Sequence, residues 1–477
     1  MIEESREDLD CHGELNWAER EFIGINLGDK RLNKRMVEIA KAFMNRPEAQ
    51  IPQAMGNWAG AKGAYRFFDH GKVTAEKILS AHREAAGQRL GGVEVVLAIQ
   101  DTSFIDYTGH PATEGLGLLM DENHQGLILH ATLMVSAQGV PLGLLDMQIL
   151  NRDQLGKRAS CRERQTQEKE SRKWLESYRA TARFRAQGDG NSQFVNVGDR
   201  ESDVYDLMAE VMRHKEADPK APDLLVRAAK DRGVEEGQRL WAFMESQEVS
   251  GKVVVEVPRK DKQKTRQAQL SIRYAQVKIK PPRHRKKAAE GLKNLTLWAI
   301  FAEEQNPPQG IEPISWMLLT TMPVCGFEEA LEKVRWYTLR WTIEMYFKVL
   351  KSGCRIEERQ LEAAHRLKSC LAVDSIIAWR ILFLTMIGRQ MPDLPASILF
   401  EEYEWKALYS FIHQTPDVPE QVPLLEEMIR QISKLGGFLD RQSDGDPGST
   451  CLWRGMWRLT DISATWKIFN KTFSLKG

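Results

Sequence analysis

The chain has 477 residues, enough for two or three domains, and its formal net charge is only +1, so overall charge neither argues for nor excludes a nucleic-acid partner. Its six cysteines are far apart with no C-x-x-C pair, and its ten histidines include no H-x-x-x-H, which excludes a zinc ribbon and a disulfide framework. The acidic opening MIEESREDLD does not suit a secretory signal, so a reducing, cytoplasmic setting is expected.

Residues 1 to about 90 read as helical. Leu32, Met36, Ile39 and Phe43 recur at helical spacing behind Asp29, an N-cap candidate. The opposite face carries Lys30, Arg31, Lys34 and Arg35. Cations in a first turn oppose the helix dipole at about 0.3–1 kcal/mol each when exposed. Such a cluster suits a negatively charged partner, and a solvated basic face accounts for it equally well.

Residues 91–230 read as a mixed core. Val93–Ile99 is an apolar, β-branched run of strand length that ends in Gln100-Asp101-Thr102-Ser103. Leu127–Ser136 and Pro141–Leu150 follow across short loops, which suits an antiparallel meander, with His130 as a core or edge histidine or a neighbour of the site. A charged helical segment spans Lys169 to Trp174. A second short strand, Phe194–Val197, ends in Gly198-Asp199-Arg200-Glu201. Asp101 and Asp199 thus each fall just past an expected strand, where catalytic carboxylates sit at site edges but where plain turn and N-cap aspartates also occur. Asp203 and Asp206 compete for the second position, but they belong to the helix-like SDVYDLMAEVM. Arg227, ending DLLVRA, is a candidate DNA contact.

The 144 residues between Asp199 and Glu344 exceed what a minimal core needs and imply an insertion. Its runs VVVEV, LSIRYAQVKI, LTLWAIFAE and SWMLLTT make it β-rich. Arg259 to Lys287 holds twelve Lys/Arg against one acid, Asp261, an electrostatic footprint for phosphates or a solvated loop. Trp316 lies in ISWMLLT.

Trp336–Gly353, WYTLRWTIEMYFKVLKSG, reads as one helix. At about 100° per residue, Arg340, Glu344 and Lys351 fall within roughly 60° of Tyr337. One face then carries a phenol, two cations and an acid, which suits a divalent metal beside a phosphate. From about 355 the chain reads as helical, punctuated by Pro392, Pro395 and the loop Asp440–Thr450. Cys370–Ile387 contains Asp374 and Arg380 and is expected as a buried helix, with no membrane span. Trp453, Trp457 and Trp466 are candidates for an exposed interface or for a small helical core.

The spacing Tyr-x2-Arg-x3-Glu-x6-Lys resembles the YREK signature of bacterial DDE transposases of the insertion-sequence-four family. AIQDTS and GDRESD look like that family's two Asp motifs, and the order Asp, Asp, Glu is that of an RNase H-like nuclease core. The resemblance implies an α/β fold: an RNase H-like core, a mixed sheet flanked by helices, over 91–370 with the β-rich insertion at about 231–325. A helical DNA-end-binding domain over 1–90 and a helical dimerisation domain over 371–477 would flank it. It implies that Asp101, Asp199 and Glu344 hold two Mg²⁺ ions, with Mn²⁺ substituting, while Tyr337, Arg340 and Lys351 grip DNA phosphates. LGDKRLNKR and GAYRFF resemble the family's N-terminal domain and carry over Arg31, Arg35 and Arg66 as DNA contacts, although Leu32 stands where another basic residue is expected. A KESxKW-like motif carries over Lys173, and Trp316 matches a tryptophan that stacks on an extruded base. The implied function is a cut-and-paste transposase acting on double-stranded DNA. It would cleave transposon ends through a hairpin and join 3′ ends to target DNA, as a homodimer holding two ends in the bacterial cytoplasm. Another RNase H-like nuclease, or a silent DNA-binding relative, remains an alternative.

Overall fold

The computed structural model describes residues 15–119, 121, 123–151, 171–188, 191–235, 237–257, 266–282 and 292–474. The chain opens with α1 (Trp17–Glu21), α2 (Lys30–Asn45), α3 (Ile51–Met55), α4 (Trp58–Phe68) and α5 (Ala75–Gln88). Four of these starts are set by short polar side chains on extended backbone that take up orphan N–H groups, while α3 starts with a proline in its first turn and no side-chain cap. Asn16 forms a capping box with Glu19, Asp29 accepts from the Arg31 amide at 2.8 Å, and Asn57 accepts from Gly60 at 2.8 Å. The apolar stripe of α2 buries Met36, Ile39 and Phe43, with Leu32 half-buried at its edge.

The sheet follows as β1 (Val95–Asp106), β2 (Gly117–Leu118), β3 (Gln125–Ser136) and β4 (Pro141–Leu150), then β5 (Gln193–Gly198) and β6 (Asp223–Arg227). The insertion supplies β7 (Gly251–Val257), β8 (Arg266–Ile279), β9 (Leu295–Glu304) and β10 (Ser315–Thr320). Strand order is β2-β3-β1-β5-β6-β10-β9-β8-β7, with β4 also on β3. The three strands β4, β3 and β1 are antiparallel, β1, β5 and β6 are parallel, and β10 returns antiparallel beside β6. This is a mixed sheet of RNase H-like topology, and the insertion extends it as one continuous sheet.

Both faces of the sheet are covered, which explains the near-continuous apolar runs of its strands. Helices α6 (Arg172–Gln187), α7 (Tyr205–Ala217) and α8 (Leu240–Glu245) cover one face with Trp174, Tyr178 and Met208, against Leu224 and Val226 of β6. The other face, which includes Leu225, meets the N-terminal helices together with α9 (Phe327–Thr338), α10 (Trp341–Lys348) and α11 (Ala364–Gln390). Alternate residues of β6 therefore serve the two cores. Helix α11 is long and apolar enough to cross a membrane, but 94% of that window is buried inside the fold, so it is a core helix.

Helices α12 (Glu402–His413), α13 (Leu425–Leu435) and α14 (Ser449–Ser474) complete the chain. Where α14 crosses α13, a Cβ on Gly455 would stand 1.8 Å from the Ile432 carbonyl, so only glycine permits this approach. Trp453 is core and no exposed interface residue: it is 3% exposed, and its indole N–H donates to Glu48 at 2.6 Å. Trp457 and Trp466 are half-buried.

A buried polar network fixes the N-terminal helices to the sheet. His82 of α5 accepts from the Leu144 amide of β4 through Nε2 at 2.8 Å, which leaves Nδ1–H to donate to Glu21 at 2.5 Å. Arg89 completes the Glu21 carboxylate at 2.9 and 3.1 Å. Burial pushes the Glu21 carboxyl up, but Arg89 and the His82 ring outweigh it and hold it at about 2. A lowered carboxyl contributes stability that is complete above its unfolded value and is lost as pH falls. About 3 kcal/mol should therefore disappear between pH 4.5 and 2. Urea unfolding across this range should show the wild type losing more stability than Glu21→Gln; parallel curves would show that the network carries no such coupling.

Candidate active site

The parallel register of β1 and β5 ends at Ile99 opposite Val197. Asp101 and Asp199 stand two residues beyond these partners on adjacent strands, so their backbones emerge side by side. The carboxyl ends of parallel strands are where α/β sheets bind ligands. The two differ in one respect from the sequence expectation. Asp199 does lie past its strand, whereas Asp101 lies inside β1, which runs on to Asp106 because β3 still pairs with it at Asp101 and Ala131. Gln-Asp-Thr-Ser reads as a turn, yet the cross-strand ladder holds it extended. After β5, a Cβ on Gly198 would stand 2.4 Å from the Ser202 hydroxyl, so the chain packs tightly as it turns into a 3-10 segment, Arg200–Ser202. Asp199 caps that segment by accepting from the Glu201 amide at 2.8 Å.

The segment Trp336–Gly353 is not one uniform helix. Helix α9 stops at Thr338. Leu339, Arg340, Thr342 and Ile343 then make amide bonds three residues back, a tightened joint before and into α10. Val349–Gly353 is a π-type turn, in which the Cys354 amide reaches the Val349 carbonyl at 2.9 Å. The wider turn shifts Lys351 around the axis from the place that uniform spacing assigns it.

Arg340 and Glu344 remain together and face Asp101. The Arg340 guanidinium donates to Glu344 Oε1 at 2.6 Å through Nη2 and to Asp101 Oδ2 at 3.3 Å through Nη1. Lys351 lies farther along β1, where Nζ donates to the Phe104 carbonyl at 2.5 Å and pairs with Glu357 at 3.2 Å. Tyr337 is buried, and its ring meets the half-buried Trp316 ring edge-on at 5.4 Å. Arg227, at the end of β6, donates to the Ser315 carbonyl at 2.8 Å beside them. Burial and the neighbouring charges of Arg200 and Arg340 lower its pKa, although Tyr337 opposes this. Arg200 went unnoticed as a site neighbour in the sequence; its only signal there is an arginine directly after Asp199.

Burial pushes the Asp101 carboxyl up to about 6, and the charges of Asp199 and Glu344 add to this, while the Thr102 amide and Arg340 oppose it. The charges of Asp199 and Glu344 thus act on Asp101 at the end of the parallel strands, and carboxylates are hard-oxygen donors of the type that suits a divalent cation. Among the described residues no group of three acid, His or Cys side chains is drawn together closely enough to hold a metal ion. The donors suit such an ion in type, but the Arg340 guanidinium stands between the Asp101 and Glu344 carboxylates.

Other candidates fall elsewhere. Asp203 is committed to structure, because it accepts from the Ala229 and Lys230 amides and pairs with buried Arg232 at 2.5 Å. His130 is buried; it bonds the Thr102 hydroxyl at 2.9 Å and meets the Trp174 ring edge-on, and burial drives its pKa well down. Lys173, buried on α6, reaches Glu201 at 3.5 Å beside the Asp199 turn. Arg31 and Arg66 are exposed on α2 and α4, while Arg35 pairs with Glu38 and lies against Gly63. Of the basic block, 259–265 and 283–287 lie outside the described residues. Within it, Arg266, Arg273 and Lys278 pair with Glu304, Glu303 and Glu235, so the β8 portion is not an open cationic strip.

A transposase DNA-binding family model matches residues 14–73, which include α1–α4. A transposase Tn5 dimerisation domain model matches residues 376–474, from within α11 through α14. The two matches support a Tn5-like transposase, with DNA and a second copy of the chain as partners. Neither match covers Asp101, Asp199 or Glu344.

Proposed function

We propose that this chain is a cut-and-paste DNA transposase of the DDE type, similar to the insertion-sequence-four family, acting on bacterial nucleoid DNA. The observation that supports this reading is the Arg340 guanidinium bridging Asp101 and Glu344, with the Asp199 charge acting on Asp101, in a chain whose two ends match transposase DNA-binding and dimerisation models. In this reading 1–90 binds the transposon end, 91–370 cleaves and 371–477 pairs two copies.

Asp101, Asp199 and Glu344 would hold two Mg²⁺ ions, or Mn²⁺, which supply a water of lowered pKa and charge stabilisation at the scissile phosphate. Arg340, Arg227 and Lys351 would hold phosphates by charge-assisted hydrogen bonds, and Tyr337 would add a neutral one through a phenol whose pKa burial raises further above its ordinary value. Arg31, Arg35, Arg66 and Lys173 would hold the DNA outside the site. Trp316, partly exposed beside Tyr337, offers a ring on which an extruded base stacks while the cleaved strand bends into a hairpin. The product 3′ end would then be joined to target DNA.

The test uses duplexes copied from the DNA that flanks the coding region, incubated with the full chain in Mg²⁺ or EDTA and resolved into nicked, hairpinned and double-strand-cut products. Cleavage at an inverted repeat only in Mg²⁺ is expected. Trp316→Ala should lose hairpin more than nick, by the roughly 1–3 kcal/mol that stacking one base supplies. Equal loss of both products would make Trp316 a packing residue, and failure to cut any flanking duplex would overturn the transposase reading.

A further inference from the structure

We propose that Arg340 is a stand-in cation. In the DNA-free protein it holds Asp101 and Glu344 in the place a divalent ion would take, so metal loading waits until a DNA phosphate draws the guanidinium away. The inference rests on the DDE reading above and adds an order of events to it.

The geometry is specific. One guanidinium spans two carboxylates from different elements, Asp101 Oδ2 on β1 at 3.3 Å and Glu344 Oε1 on α10 at 2.6 Å. The side chains are 15%, 20% and 34% exposed for Arg340, Asp101 and Glu344, so solvent screens the group only partly. A guanidinium and a divalent ion placed between the same two carboxylates repel each other and compete for the same oxygen lone pairs. One must leave before the other binds.

Arg340 is also placed so that it can leave. It sits at the tightened joint between α9 and α10, outside the regular ladder of either helix. Arg227 and Tyr337 lie close on its other side, with Arg200 adding to the positive field there. The Arg227 charge repels Arg340 while no anion lies between them, although the Tyr337 hydroxyl already holds it, and a phosphodiester bridging the two cations would attract it. Lys351 shows the complementary arrangement: Glu357 occupies it at 3.2 Å, in the role a phosphate would take. DNA binding would therefore exchange carboxylate partners for phosphate ones at both cations and free two carboxylates for metal. By linkage, DNA must raise metal affinity by the same factor by which metal raises DNA affinity.

The test measures Mn²⁺ binding by the free-ion EPR signal on the full chain without DNA. Arg340→Gln, which removes the charge but keeps a polar side chain, should bind Mn²⁺ about tenfold more tightly than wild type, within the range of measured couplings between sites. Arg340→Lys should stay close to wild type, and adding Asp101→Asn to Arg340→Gln should erase the gain. On wild-type protein, a flanking-DNA duplex should raise Mn²⁺ affinity by a similar factor, an arm that needs no variant to fold. Equal Mn²⁺ affinity in wild type and Arg340→Gln, with binding still lost on Asp101→Asn, would overturn the stand-in role and leave the metal site standing. No Mn²⁺ binding by any of these proteins, with or without duplex, would overturn both.

Discussion

Asp101→Asn should abolish strand cleavage and at the same time stabilise the fold. In the proposed mechanism Asp101 holds metal, so its loss should cost at least about 10³-fold in rate, or about 4 kcal/mol of transition-state stabilisation. Asp199→Asn and Glu344→Gln should share that loss, and end binding should persist because the phosphate contacts remain. The stability effect distinguishes Asp101. Its carboxyl is raised from 3.8 to about 6, first by burial and then by its acidic neighbours. Between these values the unfolded chain has released the proton and the folded chain has not, so stability falls as pH rises through this window and the deficit is complete above about 6. At neutral pH this costs on the order of 1–3 kcal/mol, which the neutral amide removes. A residue that loses function and gains stability is one the fold tolerates for its chemistry. Cleavage gels and thermal unfolding at pH 7.5 check both halves. An Asp101→Asn protein that is less stable than wild type and still cuts would make this aspartate a structural residue.

Arg359→Met should be the most destabilising single change in the helical shell. Arg359 is 2% exposed and forms a two-pronged pair with Asp374 of α11 at 3.0 and 2.7 Å. The same guanidinium donates to the Ala49 carbonyl at 2.5 Å and lies over the Phe43 ring at 4.4 Å. One side chain therefore ties the α2–α3 corner of the DNA-binding layer to the core helix behind the site. Met keeps much of the volume but strands Asp374 as a buried, unpaired carboxylate, which typically costs about 3–5 kcal/mol. Adding Asp374→Leu removes the second charge and should recover much of the loss, since a packed apolar pair often matches a buried ion pair. Urea midpoints of the two variants give the answer. A loss below about 1 kcal/mol for Arg359→Met would place the pair among weak surface-like bridges.

Much of the architecture was legible because it depends on local periodicity. Each expected β run, including VVVEV, LSIRYAQVKI, LTLWAIFAE and SWMLLTT in the insertion, forms a strand. The N-cap at Asp29 and the buried helix with internal charges at Cys370–Ile387 also follow from neighbours within one or two turns. So does the residue chemistry of Tyr337, Arg340 and Glu344, which lie within two turns of one another.

Local patterning specifies most of the elements and the kinds of side chain that each presents, although it reads Trp336–Gly353 as one helix where the fold has two helices and a π turn. Where chemistry-bearing residues stand emerges only on folding, because it depends on partners distant in the chain. Strand β3 keeps Asp101 extended in mid-strand, where composition suggests a turn. The joint at Leu339–Arg340 and the π turn at Val349–Gly353 break a face that uniform spacing would align, and they send Lys351 to Glu357 and Phe104. Trp453 is buried in the core, and its indole N–H finds Glu48, about four hundred residues earlier. Arg266, Arg273 and Lys278 spend their charge on acids from other strands and loops. A charge or an aspartate carries no record in the sequence of whether a distant partner will neutralise it, and that pairing sets which cations are left for DNA.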